Sequence, residues 1–251
     1  MTIRVAISGA GGNLANPIIR AVDSADDLTV GCLFNPNRAG VEIEGYVVVG
    51  SFGEVDGDVV VETAHPDHVF DNLAAWRAAG MDVVVGTSGF TEERLRQLGD
   101  LWGKEGPVCL VVPNFSVGAV LMMEFARTAA RYFEAVEVIE RHHSTKPDAP
   151  SGTALATAAG ISAGGGSSSD QSSEMVPGVR GGDVGGIRIH SLRLPGLISQ
   201  QEVALSNPGE LLSVEHMSTS YESFSSGALL AVRKIGGLEP GVHVGLASLL
   251  E

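Results

Sequence analysis

Apolar residues in this chain fall into short runs separated by amphipathic stretches. IRVAISG at 3–9 reads as a buried strand, PIIRAVDSAD at 17–26 carries helical spacing, and LTVGCLF at 28–34 is a second strand. The alternation continues with strands at 57–64, 81–89 and 107–115 and helices at 66–80 and 91–104. Near-continuous valine runs without polar alternation mark strands buried on both faces. The pattern therefore predicts a parallel sheet covered by helices on both sides.

Past residue 115 the pattern changes, and a second domain is expected from about Ser116. A helix is predicted over 121–135, a strand over 136–140, and then a strongly polar stretch, RHHSTKPDAPSGTA, at 141–154. Three further segments, 187–194, 200–207 and 211–218, read as antiparallel strands joined by turns at Pro-Gly and Asn-Pro-Gly. Residues 162–186, rich in Gly and Ser and lacking an apolar period, read as a mobile surface loop. The closing FSSGALLAVRKI, 224–235, is helical and could return to pack on the first domain.

Composition narrows the partners. Across 251 residues, 44% hydrophobic content and 33 glycines suit a soluble α/β enzyme. A net charge of −14, from 16 basic and 30 acidic residues, gives no footing for nucleic acid or an anionic membrane. Cys32 and Cys109 lie in apolar runs without metal spacing and read as reduced core residues, and no export signal or membrane span is evident, so a cytoplasmic protein is expected.

Candidate chemistry sits in two places. Gly9, Gly12 and Ala15, with Asn13 and Leu14 between, follow the first strand as G-x-x-G-x-x-A and directly precede a helix. Glycines there let the backbone approach a pyrophosphate at the helix N-terminus, so a nicotinamide dinucleotide is the expected cofactor. The second strand is followed by Asn35-Pro36-Asn37-Arg38 with no carboxylate for an adenosine 2′-hydroxyl, an arrangement that tolerates or favours a 2′-phosphate, so NADPH is expected to be used at least as well as NADH. Gly86-Thr87-Ser88 and Pro113-Asn114-Phe115 fall at further carboxyl ends of strands, where ligands bind open parallel sheets.

The second place is the polar stretch. His142 and Lys146 suit proton transfer and carboxylate pairing, His143 lies beside them, and Ser151, Gly152 and Thr153 after Pro150 are expected to form a helix start rich in donors. A carboxylated small molecule would fit. The same residues are also compatible with a strand cap and a solvated lysine; a metal is not expected, since His142 and His143 are adjacent. His65 and His68 read as solvated residues beside the cofactor cleft.

HHSTKPDAPSGTA closely resembles the E-x-H-H-x-x-K-x-D-A-P-S-G-T-A signature of dihydrodipicolinate reductases. VVVGTSGFTEE, VPNFSVGAVL, VRGGDVGGIRIHSLRLPG and FSSGALLAVR extend the likeness along nearly the whole chain. The resemblance implies an α/β fold: an amino-terminal Rossmann-like dinucleotide-binding domain over 1–115, completed by 219–251, and an α+β mixed-sheet domain over 116–218 for substrate binding and oligomerisation. It implies His142 as proton donor with Lys146 as partner, and substrate contacts at His143, Gly152 and Thr153. It implies cofactor contacts at Gly9, Gly12, Gly86, Thr87, Asn114 and Phe115, NADPH or NADH as reductant, a small dicarboxylate substrate, domain closure over it and a homotetramer. The chain departs from the family at GGNLANP, where Asn13 replaces an arginine and Ala15 a glycine, and at ETAHP, with Glu62, Ala64 and His65. Two alternatives are a related reductase of another carboxylated cyclic imine and a non-catalytic nucleotide sensor; the intact His142, His143 and Lys146 weigh against the second.

Overall fold

The valine runs at 57–64, 81–89 and 107–115 form strands shorter than the runs, their ends turning into loops, whereas LTVGCLF at 28–34 is strand throughout. The computed structural model describes residues 2–168 and 172–250. In chain order these give β1 (Ile3–Ser8), α1 (Ala15–Asp23), β2 (Leu28–Phe34), β3 (Glu42–Ile43), β4 (Tyr46–Val49), β5 (Val59–Glu62), α2 (Val69–Ala78), β6 (Asp82–Val85), α3 (Glu92–Trp102) and β7 (Val108–Val111). There follow α4 (Val117–Ala130), β8 (Ala135–His142), α5 (Gly152–Ala163), β9 (Gly182–Val184), β10 (Ile187–Arg193), β11 (Ser199–Asn207) and β12 (Glu210–Ser218), then α6 (Ser225–Lys234) and β13 (Gly241–Val244). The chain divides into two units: residues up to Val117 with those from Tyr221, and Gly118–Ser220.

The first unit is an eight-stranded sheet in the order β13-β7-β6-β5-β1-β2-β4-β3, parallel except for β3 at its edge. From β1 the chain builds one way through β2 and the other way through β5, so the order reverses beside β1. In sheets of this kind a crevice opens at that point, outside the carboxyl ends of the strands. Helix α1 buries Ala15, Ile18, Ile19 and Val22, a spacing of three and four residues that lays one stripe on the sheet. On the opposite face Leu73 and Trp76 of α2 and Leu98 and Trp102 of α3 pack on Val60, Val83, Val85 and Val111. Each buried indole contributes about 5 kcal/mol of gross transfer free energy. The β3–β4 hairpin lies outside the predicted elements; its turn residues Glu44 and Gly45 both take positive φ, 49° and 84°.

The second unit carries a mixed sheet, β12-β11-β8-β10-β9. Strand β10 does not pair with β11 as expected: β8 lies between them, and β10 runs parallel to β8 and antiparallel to β9, because α5 carries the chain back over the sheet before β10 begins. Helices α4 and α5 cover one face, with Met122, Ala126, Ala158 and Ile161 against Val136, Val138, Ile189 and Val203. The helix expected at 121–135 starts at Val117 and stops at Ala130. Asn207, from the far end of β11, donates to the Tyr132 carbonyl at 3.0 Å and accepts from the Glu134 amide at 2.9 Å, fixing the turn into β8. The expected loop at 162–186 is also corrected. α5 extends to Ala163, and β9 pairs with β10 through Gly185 and Gly186, both at positive φ. Residues 169–171 of that stretch lie outside the described residues.

Candidate active site

In the first unit a cavity of about 860 Å³ opens at the carboxyl ends of β1, β2, β5 and β6. Of the residues singled out in the sequence, Gly9, Gly12, Leu14, Asn35, Arg38, Gly86, Thr87 and Ser88 line it, while Asn13, Pro113, Asn114 and Phe115 do not. Gly9 is held by its amide to the Phe34 carbonyl at 3.0 Å, with φ of 83°. A Cβ there would come within 2.7–2.8 Å of the Thr63 and Ala64 backbone. Helix α1 starts after Leu14, which offers no side-chain cap, so the first helical amides have no side-chain acceptor there. A cradle bare of Cβ atoms beside an uncapped helix N-terminus fits the pyrophosphate of a dinucleotide.

The rim is built by backbone stitching. Thr63 donates its hydroxyl to the Ser8 carbonyl at 2.6 Å, Thr87 donates to the Ala64 carbonyl at 2.9 Å, and the Gly86 amide donates to the Glu62 carbonyl at 2.9 Å. Asn35 lines the cavity, but its amide is engaged in the turn, donating to the Ala10 carbonyl at 2.9 Å and accepting from the Asn37 amide at 3.1 Å. The Arg38 guanidinium lies over Gly11, and among the described residues no carboxylate pairs with it. Phe115 is buried, with its ring against Gly86, so it supports the cavity wall from behind.

Sequence reasoning missed three supports. Glu62 is fully buried and accepts from Trp76 Nε1 at 2.8 Å, Asn72 Nδ2 at 3.1 Å and the Ala64 amide at 2.8 Å. Burial pushes its pKa up, and those donors act against the rise. Arg94 donates to the Pro66 carbonyl at 2.9 Å and the Gly89 carbonyl at 3.3 Å, its guanidinium 5.1 and 5.4 Å from the Phe70 and Phe90 ring centres. Phe52 lines the cavity and stacks on Phe34 at 4.8 Å. None of these carries a local motif. His65 and His68 also line the cavity, with rings 6.4 Å apart, and no cluster of metal-ligating side chains exists among the described residues.

In the second unit the polar stretch gathers at the end of β8. His142, whose side chain is 14% exposed, places Nδ1 2.5 Å from Glu140 Oε2, and no described residue partners its Nε2. Glu140 is fully buried; its Oε2 also accepts from Arg193 Nη1 at 2.9 Å, and its Oε1 from Arg193 Nη2 at 2.9 Å and the Ser151 amide at 3.3 Å. Burial alone would raise the Glu140 pKa, yet the bonds to His142 and Arg193 outweigh it and hold the carboxyl at about 2. His143 Nδ1 lies 2.8 Å from Thr145 Oγ1. Lys146 Nζ pairs with both oxygens of Asp148 at 2.7 and 2.9 Å. Ser151 is buried as the N-cap of α5, accepting from the Ala154 amide at 3.2 Å, so its hydroxyl serves the helix. The space beside Gly152 is open, and Thr153 lies in the same first turn.

This geometry can do acid–base work at one free imidazole nitrogen and hold an anion at an ammonium and a helix start. Comparison with known proteins agrees over the full length. A family model described as dihydrodipicolinate reductase, N-terminus, matches residues 3–115, and one described as dihydrodipicolinate reductase, C-terminus, matches 118–250. The 4-hydroxy-tetrahydrodipicolinate reductase of Nocardia farcinica is 44% identical over 100% of both chains, and that of Mycolicibacterium smegmatis is 44% identical over 99% of each. The dipicolinate-bound dihydrodipicolinate reductase from Paenisporosarcina sp. TG-14 superposes with a TM-score of 0.82 at 32% identity, covering 99% of each chain. With its cofactor cradle, its histidine pair and both halves of its sequence accounted for together, the chain belongs to the dihydrodipicolinate reductase family.

Proposed function

We infer that this protein is an NAD(P)H-dependent oxidoreductase that reduces the cyclic imine derived from 4-hydroxy-tetrahydrodipicolinate to tetrahydrodipicolinate, a step of the diaminopimelate route to lysine. The observation that carries the reading is the intact set of His142, His143, Lys146, Gly152 and Thr153 at one end of β8, in a chain whose two halves both match the family. When bound, the nicotinamide nucleotide supplies a hydride. Gly9, Gly12 and the start of α1 would hold its pyrophosphate, and Gly86 to Ser88 edge the same cavity. Lys146 and the amides of Gly152 and Thr153 take the substrate carboxylates and orient the ring. His142 would give its Nε2 proton to the reduced ring and then recover one from solvent.

Purified protein mixed with a dihydrodipicolinate synthase, pyruvate and aspartate semialdehyde should consume NAD(P)H. No consumption, with the nucleotide still bound, would refute the assignment and favour a reductase of another cyclic imine. NADPH is used at least as well as NADH, because the Arg38 guanidinium lines the cavity just past β2 and no carboxylate among the described residues pairs with it; a tenfold preference for NADH in paired titrations would overturn this. The molecule assembles as a homotetramer through the second sheet, supported by exposed Leu211 and Met217 on its outer strand β12, and a monomeric mass by light scattering would rule that out. Reduced Cys32 and Cys109 and dependence on NAD(P)H fit a cytoplasmic enzyme. No helix among the described residues is long and apolar enough to cross a membrane.

A further inference from the structure

The polar end of β8 contains an ion pair that touches no solvent-facing function of its own. Glu140 and His142 are two residues apart on one strand, so both project to the same face. Arg193 sits on β10 directly opposite His142 in the register, and it reaches Glu140 with both terminal nitrogens. Its Nη2 also donates to the Asp148 carbonyl at 2.6 Å, the residue whose side chain pairs with Lys146. The Ser151 amide, at the start of α5, closes on the same carboxylate. One ion pair, its carboxylate fully buried, therefore meets all three parts of the candidate substrate site: the imidazole, the lysine turn and the helix start.

Burying the Glu140 carboxylate is costly, and a well-packed apolar pair of similar volume would serve the core at least as well. A carboxylate on one ring nitrogen fixes which nitrogen carries the proton, as outer carboxylates do for metal-bound and catalytic histidines. Here the ionised Glu140 can only accept, so Nδ1 must donate. Nε2, which no described residue partners, is then left to be protonated and to deliver. We propose that Glu140 and Arg193 are positioning residues that lock the His142 imidazole as the Nδ1–H tautomer and hold the Lys146 turn and the α5 N-terminus in register with it. This rests on His142 being the proton donor.

The decisive variant is Glu140→Gln, which keeps shape but must place an NH2 group toward either the imidazole or the donors of Arg193. Expected is a fall in kcat of about 100-fold with KM for NADPH within roughly threefold, alongside a shift of His142 toward Nε2–H in 15N spectra of the imidazole. Arg193→Ala should lose turnover comparably and regain part of it when guanidinium is added. His142→Asn is run in parallel to separate the two levels. If it turns over like wild type, His142 is not the acid and the assignment of function to this site falls with it. If His142→Asn is inactive while Glu140→Gln keeps half of wild-type kcat, the positioning role alone is refuted. Should Glu140→Gln not fold, the wild-type spectrum still decides: a neutral His142 found protonated at Nε2 and bare at Nδ1 overturns the proposal.

Discussion

Gly9→Ala is the sharpest test of the nucleotide cradle. The substitution puts a Cβ on a backbone at φ of 83°, which costs about 1–2 kcal/mol for an L-residue. The same Cβ would stand 2.7 Å from the Thr63 carbonyl carbon and 2.8 Å from the Ala64 nitrogen, well inside ordinary van der Waals contact. That neighbour is backbone and cannot swing away. It is pinned by the Thr63 amide and hydroxyl on the Ser8 carbonyl, at 3.1 and 2.6 Å, and by the Ala64 amide on Glu62 at 2.8 Å. Overpacking of this kind costs a further 1–3 kcal/mol or so. A total of about 2–5 kcal/mol lowers the melting temperature by roughly 5–15 °C. Because the strand ends that must move line the cavity, affinity for NADPH and NADH should fall together, by about tenfold or more. Gly11→Ala is the control. Its φ is also positive, at 86°, but its Cβ would meet the Arg38 guanidinium, with Nη1 at 2.9 Å, the far end of a flexible side chain. It should melt within a few degrees of wild type, on the order of 1–2 kcal/mol, and weaken NADPH more than NADH. Calorimetry and fluorescence titration of both variants decide. Gly9→Ala melting like wild type with unchanged affinities would refute the steric argument.

Two buried glutamates should respond to pH with opposite sign. Glu140, held at about 2 against an ordinary 4.5, stabilises the fold above the ordinary value, and that contribution, on the order of 3 kcal/mol, is lost as pH falls from 4.5 toward 2. Urea melts should therefore show the gap between wild type and Glu140→Gln narrowing over that window; a constant gap would count against the depressed pKa. Glu62 is raised by burial, so its favourable contribution is complete below the ordinary value and is lost as pH climbs through its folded pKa. Wild type should lose stability relative to Glu62→Gln as pH rises above the ordinary carboxyl value of 4.5, and a difference that is flat or grows the other way would remove the claim.

What the sequence made legible was local. The strand-turn-helix around Gly9 is read from neighbours within a dozen residues, and the valine runs declare strands buried on two faces because nothing polar interrupts them. What stayed hidden depended on partners far along the chain. Asn207 ends the turn before β8 from 73 and 75 residues away, so helical periodicity alone ran α4 past its end at Ala130. The parallel placement of β10 follows from α5 crossing the sheet, which alternation cannot report. The Gly185-Gly186 turn was within reach, since two glycines between polar-apolar pairs are a hairpin signal, but it lay inside a stretch whose composition suggested only a loop. At the candidate site, His142, His143 and Lys146 stood out as chemistry. Glu140 stood in the same motif without a visible role, because its partner Arg193 is 53 residues away. Phe115 was expected at the cofactor, and the structure places it behind Gly86, a distinction that only packing can make.

The return of α6 and β13 to the first sheet has a consequence for how the protein is made. α6 packs on β5 and β6, and β13 extends the sheet beyond β7, yet both are encoded after Ser220. A chain growing from the ribosome thus exposes one face and one edge of its amino-terminal sheet for most of its synthesis, while the uninterrupted stretch from Gly118 to Ser220 already holds everything its own core requires. The segment translated first is the one that finishes last.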